Sequence, residues 1–475
     1  MMNDKSLKNL LAVMAALTMG LGLIGCSDDD NPADPGLGDG AKLRVVHASP
    51  DAPEVDVYAE GVATPLITGL GYTETSPYLD LDPGTYNIQL RAAGASPTSE
   101  PAYETGELTV PADAVITAVA VGLLGSTAGA DAFRVLPLVE DFTAPGAGQA
   151  AVRIVHGSAD APAVAIDVGN DGTPEITGFA RFAETGPAGV ALPAGSPLAV
   201  GIWAGSPLAR VTAFTTPALP EAEIFLIATG LLGASPRAQD GFGLLAVGPA
   251  GTVGLIRQNP VVFVLHASPD APAVDVFVGG TETELVDGLS FGELSPPVQV
   301  PPASYSLDVK VAAGGALAAT VATPALVAGE RYLAVASGFV AAEGIEFTLL
   351  AYADAFGDAA DPLVRVVHAS PDAPAVDVGV WNGTTLTPVG AYTDLAFGEA
   401  SAAAGTALPA AAFTVGVAAT GTGTPAATFD LAPTAGLRAF AVAGGSLAGT
   451  GESFRLMLVV ASSYPWQVLE VLPNP

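Results

Sequence analysis

The chain has 475 residues, 50% of them apolar and only 13% charged, with 48 acidic against 16 basic side chains and a formal net charge of −32. So few bases exclude a nucleic-acid groove, which needs clustered Lys and Arg to displace counterions, and they oppose attraction to an anionic bilayer surface. The apolar content excludes a disordered chain, and the lone cysteine, Cys26, excludes a disulfide scaffold.

Residues 1–25 read as an export signal. Lys5 and Lys8 precede an apolar stretch from Leu10 to Ile24 that is too short to span a bilayer comfortably. Its end, Leu23-Ile24-Gly25-Cys26, resembles the lipobox of bacterial lipoproteins. That resemblance implies cleavage before Cys26, acylation of its thiol, and membrane attachment through the acyl chains. By the same likeness Ser27 implies the outer membrane, and the Asp28–Asp30 run resembles surface-export signals. Residues 26–41 then read as an acidic tether, rich in Gly and Pro.

Four copies of one unit follow. LRVVHASPDAPEVDVYAEG (43–61) returns as VRIVHGSADAPAVAIDVGN (152–170), VFVLHASPDAPAVDVFVGG (262–280) and VRVVHASPDAPAVDVGVWN (364–382). The histidines His47, His156, His266 and His368 are spaced by 109, 110 and 102 residues, a domain-sized period. The units are bounded at 42–144, 150–250, 260–356 and 362–463, with a tail at 464–475. Each carries about seven strand-like runs separated by turn residues and no convincing helix. This predicts an all-β chain of four tandem antiparallel, Ig-like β-sandwiches, with barrel closure as the alternative. Strung out through short linkers such as 143–150 and 355–361, domains about 35 Å across would reach roughly 100–150 Å. Gly, Pro and Thr break the uncharged stretches and no aromatic girdles accompany them, which excludes a transmembrane barrel.

The repeated H-A-S-P-D-A-P-x-V-D stretch resembles the bacterial and archaeal family called domain of unknown function 4397. Those domains occur in exported proteins, often in tandem, and membership implies no activity. The second copy departs from the pattern with Gly157 and Ala159, and its Asp167 reads as preceded by two extra residues.

Four polar positions recur: the histidine, a first Asp (Asp51, Asp160, Asp270, Asp372), a second Asp (Asp56, Asp167, Asp275, Asp377) and a Glu after an aromatic residue (Glu74, Glu184, Glu293, Glu399). The leading reading is structural: S-P-D-A-P is a turn, with Pro setting φ, Asp accepting from nearby backbone N–H groups, and His bonding a carbonyl. The second Asp would face solvent or bond a neighbouring loop. The alternative is one cation site per repeat, for Ca²⁺ or a transition metal, although no ligand spacing matches a known metal motif. His47, Ser49 and Asp51 supply the residue types of a catalytic triad but lie within five consecutive positions, too short a turn for a triad's convergence. Trp203, Trp381 and Trp466 occupy unequal places in their repeats, which favours core filling or one interface over a sugar platform. Together these features predict a non-catalytic exported lipoprotein. It would be a stalk or adhesion-type module without cofactor, anchored to the membrane by lipid and meeting a protein or glycan partner.

Overall fold

A computed structural model describes residues 40–126, 129–312, 315–341, 343–389 and 392–475. Cys26 and the rest of 1–39 lie outside the described residues. Among those described there is no α-helix, and no helix is long and apolar enough to cross a membrane. Thirty-four strands form eight sheets, two to a repeat.

In repeat 1 the strands are β1 (Ala41–His47), β2 (Val55–Ala59), β3 (Ile67–Leu70), β4 (Leu79–Leu81), β5 (Gly84–Ala92), β6 (Tyr103–Val110), β7 (Val115–Val121) and β8 (Arg134–Val139). One sheet has the order β4-β1-β7-β8 and the other β3-β2-β5-β6. The pairing is antiparallel except between β1 and β7, which run parallel with His47 opposite Ala120. The same parallel pair recurs in every repeat. The sandwiches are therefore mixed, because β1 and β7 are central neighbours linked by a long crossover through the second sheet.

The repeats hold eight, nine, eight and nine strands, more than the seven read from the sequence. Very short strands such as Leu79–Leu81 account for part of the difference. The rest comes from a fifth strand added to one sheet of each even repeat: Gly251–Arg257 in repeat 2 and Gln467–Val471 in repeat 4. Residues 464–475 are thus not a tail. They complete a sheet, and Trp466 is buried.

The repeats are also not separate beads. Leu43, Val45 and Ile116 point into the core of repeat 1, beside Val55 and Leu70. The alternate residues, Val46, Ala48, Val119 and Val121, point outward and pack with Val155, Phe225, Ile227, Leu245 and Val247 of repeat 2. Repeats 3 and 4 join in the same way, through Phe263, Leu265, Leu333, Val335, Phe440, Val442 and Met457 among others. Each pair is therefore four sheets deep. Burial on both faces explains why β7 reads Val-Ile-Thr-Ala-Val-Ala-Val, almost unbroken apolar sequence.

The two interfaces differ in chemistry. In the first pair Arg44, 2% exposed, forms an ion pair with Glu140 at 3.2 Å and donates to Gly248 O of repeat 2 at 2.7 Å. Arg153 of repeat 2 donates back to Val139 O at 2.6 Å. In the second pair Phe263 takes the place of Arg44 and stacks on Trp466 with centroids 4.5 Å apart. The linkers are anchored as well: Phe142 packs on Phe225 and Phe356 on Phe440. Between the pairs, Gln258 and Asn259 are buried and bonded to repeats 2 and 3, with Thr212 Oγ1 donating to Gln258 Oε1 at 2.6 Å and Gly329 N to Gln258 O at 2.7 Å.

Candidate functional site

In all four repeats the histidine ends the first strand and its ring turns into its own sandwich. Nε2 meets the carbonyl of the motif's second proline (the residue six positions on): Pro53 at 3.1 Å, Pro162 at 2.9 Å, Pro272 at 3.1 Å and Pro374 at 3.0 Å. A carbonyl only accepts, so Nε2 must carry the proton and Nδ1 is a bare acceptor. Nδ1 faces the N–H of Ser49 at 3.4 Å in repeat 1 and of Ser370 at 3.3 Å in repeat 4. In repeats 2 and 3 it is buried with no partner among the described residues. Burial lowers the pKa of all four imidazoles; the proline carbonyl opposes that shift without overcoming it.

The serine of the motif is fully buried in each repeat and donates to the carbonyl of the glycine that closes the seventh strand's run: Gly122 at 2.7 Å, Gly230 at 2.8 Å, Gly338 at 2.6 Å and Gly445 at 2.7 Å. The first Asp fastens the loop beyond that glycine through two backbone amides. Asp51 accepts from Leu124 and Gly125, both at 2.8 Å, and Asp160 from Leu232 and Gly233 at 2.8 and 2.9 Å. Asp270 accepts from Val340 and Ala341 at 2.8 and 2.9 Å, and Asp372 from Leu447 and Ala448 at 2.8 and 3.0 Å. Burial acts to raise the Asp372 pKa, but these amides together with the Ser446 and Ser370 hydroxyls outweigh it and hold the carboxyl below its usual range. Histidine, serine and aspartate thus tie three separate backbone segments together. The Ser49 hydroxyl is committed to a carbonyl and to Asp51, and the imidazole Nε2 to another carbonyl.

The second Asp serves the other sheet. Asp56 accepts from Gly69 and Gly94 at 2.8 and 2.9 Å, Asp275 from Gly288 at 2.7 Å, and Asp377 from Asp394 and Gly421, both at 2.9 Å. Those two amides lower the Asp377 pKa. Of the alternatives read from the sequence, loop bonding rather than solvation holds. The Glu closes its own turn: Glu74 accepts from Gly71, Glu293 from Ser290 and Glu399 from Ala396, at 2.8, 2.9 and 3.0 Å. The aromatic residue beside it stands edge-on to the histidine: Tyr72 to His47, Phe291 to His266 and Phe397 to His368.

Repeat 2 corrects two sequence assignments. Its first strands contain no insertion: Val164 pairs with Phe179 as Val55 pairs with Leu70, so Ala165 occupies the place of Asp56. Asp167 lies two residues further along the strand, on the same face, and accepts from Asp171, Gly172 and the Trp203 indole instead. Likewise the bond from His156 N goes to Ala183 O, where His47 N uses Glu74 O. Ala183 therefore replaces the recurrent Glu, and Glu184 stands one place on, 2.8 Å from the Arg153 guanidinium.

The histidine, two aspartates and glutamate of a repeat do not gather around a common point. Among the described residues the one trio of possible ligands within 4.8 Å of one another is Asp275, Glu284 and Asp287. It shares a single carboxylate with the recurrent set. The tryptophans also separate: Trp203 serves Asp167, Trp466 fills the interface of repeats 3 and 4, and Trp381 ends the strand Val376–Trp381.

Fold and motif define a tandem β-sandwich repeat protein whose recurrent polar residues lock turns. The chain belongs to the family described as "Domain of unknown function (DUF4397)", whose model matches residues 41–167 and 260–379, just over half of the chain. Each match spans one odd repeat and the first strands of its paired even repeat. No curated protein matches the chain. Among solved structures it is similar to the Bacillus anthracis TIE protein, with 9% identity over 85% of this chain and a TM-score of 0.15. The chain spans 66% of that protein's length.

Proposed function

We propose that the protein is a non-catalytic lipoprotein of the cell envelope, anchored through Cys26 at the outer membrane or cell surface and presenting its repeats to a protein or glycan partner. The observation that carries this reading is how the repeated side chains are employed. The histidines, serines and first aspartates are bonded to backbone in all four repeats, so the chemistry that repetition preserves builds a scaffold rather than an open reactive group. Paired repeats joined by a bonded linker make that scaffold a stiff spacer, shorter than a string of four. The acidic, Gly- and Pro-rich composition of residues 27–39 suits a tether below it.

Labelling of the expressed chain with a radioactive fatty acid tests the anchor. The reading expects label on the wild-type chain and none on Cys26→Ala. An unlabelled wild-type chain, released as a soluble protein, would overturn it. Protease treatment of intact cells then separates a surface-facing from a periplasm-facing chain.

A further inference from the structure

The open edge of repeat 3 stands out when the four repeats are compared. The sheet that begins with the histidine strand ends in each repeat on an equivalent strand: β8, Gly243–Gly248, Thr348–Ala353 and Arg455–Val460. In repeats 2 and 4 that edge is filled by the chain's own fifth strand, antiparallel in both. In repeats 1 and 3 no strand among the described residues pairs with it.

The two unfilled edges are not alike. Glu140 N donates to Val115 O, so with antiparallel alternation Pro137 faces outward, and it has no N–H to offer. Repeat 1 is therefore blunted, and its neighbouring edge strand β6 carries Glu104 and Glu107. In repeat 3 the matching bond, Asp354 N to Arg331 O at 2.7 Å, turns the amides of Leu349 and Ala351 outward. Ala351 occupies the place of Pro137. The edge strand Thr-Leu-Leu-Ala-Tyr-Ala has neither charge nor proline, and neither has its neighbour Leu317–Ala322, whose Leu317 is 59% exposed. Behind both lies an apolar cavity of about 40 Å³ reached by Ala322, Leu349 and Ala351.

We infer that residues 348–353 are a docking edge for an extended segment of another protein, which adds antiparallel to the sheet of repeat 3. The chain's own strands define the occupant. In repeat 2 Ala246, the counterpart of Ala351, lies opposite Gly254, and in repeat 4 Leu458 lies opposite Leu469. A guest in the register of 251–257 would place Arg257's counterpart opposite Thr348, beside Glu346. The occupant is thus a strand apolar at alternate positions and basic at its C-terminal end. A second copy fits less well: pairing Leu349 with Ala351 of another copy sets Glu346 opposite Asp354, and like charges facing across strands destabilise. The inference stands independently of the lipid anchor.

A fluorescent peptide with the sequence of residues 250–258 tests it on the full chain. One peptide should bind per chain, and hydrogen exchange should slow at the amides of Leu349 and Ala351. Ala351→Pro, which copies the residue repeat 1 already carries, should weaken binding at least tenfold. Pro137→Ala should raise the stoichiometry from one to two. The exchange measurement needs no variant, so a misfolded Ala351→Pro chain leaves the test intact. Unchanged exchange at Leu349 and Ala351, or equal binding by Ala351→Pro, would overturn the inference. So would protection of the same amides by self-association without peptide.

Discussion

Val121 of repeat 1 fills the space that Gly157 of repeat 2 leaves empty. A Cβ on Gly157 would lie 2.8 Å from Val121 Cγ1 and 2.8 Å from the carbonyl of Ala228. The other repeats have Ala at this place, facing a small partner: Ala48 O accepts from Thr229 at 2.7 Å, Ala369 O from Ser337 at 2.5 Å, and Ala267 lies against Gly444. The departure of the second copy from its motif is a fit to its pair, not decay of a site. Restoring the common residue with Gly157→Ala should therefore destabilise the chain, by about 1–3 kcal/mol as overpacking does. Val121→Ala in the same chain should recover part of the loss. Thermal melting of the two single variants and the double variant measures the coupling, and additive effects would contradict it.

The tautomer forced on each histidine makes stability depend on pH. Burial lowers the folded pKa below the ordinary value near 6.5, so the unfolded chain binds more protons once the pH falls below that value. The histidine contribution is complete above about pH 6.5 and declines as the pH drops toward the folded pKa values. Each imidazole that stays neutral costs about 1.4 kcal/mol per pH unit in that window. Asp372 and Asp377, whose folded pKa values are lowered, act in the same direction further into acid, below their ordinary value near 4. Urea unfolding in weakly buffered solution should take up protons at a pH just below the ordinary histidine value, and almost none at pH 8. Uptake that is the same at both would contradict the neutral assignment.

The histidine turn was legible because its parts are local. A Pro six residues after each His, with Ser and Asp between, closes on itself, and only the partners of Ser and Asp lie far along the chain. The pairing of repeats was not legible. Arg44 and Thr117 place polar groups on the outward faces of β1 and β7, yet they meet Glu140 and repeat 2. The almost unbroken apolar run 115–121 carried the missing signal, since burial on one face alone would have left polar residues at every second position. In repeat 2 the assignments of Asp167 and Glu184 went astray for another reason. Matching residue types shifted the alignment by two and by one, where strand register keeps Ala165 and Ala183 in place.

Asp372 binds two loop amides and the Ser446 hydroxyl, the last at 2.6 Å. Removing its carboxylate leaves those donors to water at a partly buried turn. Asp372→Ala should cost about 1.5–3 kcal/mol, the range for hydrogen bonds to a charged group. Asp372→Asn should cost less, since one acceptor remains. Hydrogen exchange at Leu447 and Ala448 should rise in both variants while amides of repeat 1 stay unchanged. Equal exchange in wild type and Asp372→Ala would show that the loop is held by other means.

Trp466 lies between Phe263 of repeat 3 and Phe440 of repeat 4, with centroids 4.5 and 5.7 Å away, and is 4% exposed. It enters that interface only because the following strand, Gln467–Val471, pairs along Arg455–Val460 and fixes its position. A C-terminal segment that reads as a tail therefore clamps two domains. Trp466→Ala should cost about 3–5 kcal/mol, as for other large buried aromatics. Truncation after residue 463 should cost at least as much, because it also uncovers the sheet edge. The loss should fall on repeats 3 and 4 and spare the first pair, whose interface uses Arg44 and Phe225 instead. Limited proteolysis with mass mapping reads this directly: cleavage should appear within 260–461 before any appears within 41–257. Uniform cleavage along the chain would mean that the four repeats unfold as one unit and not as two pairs.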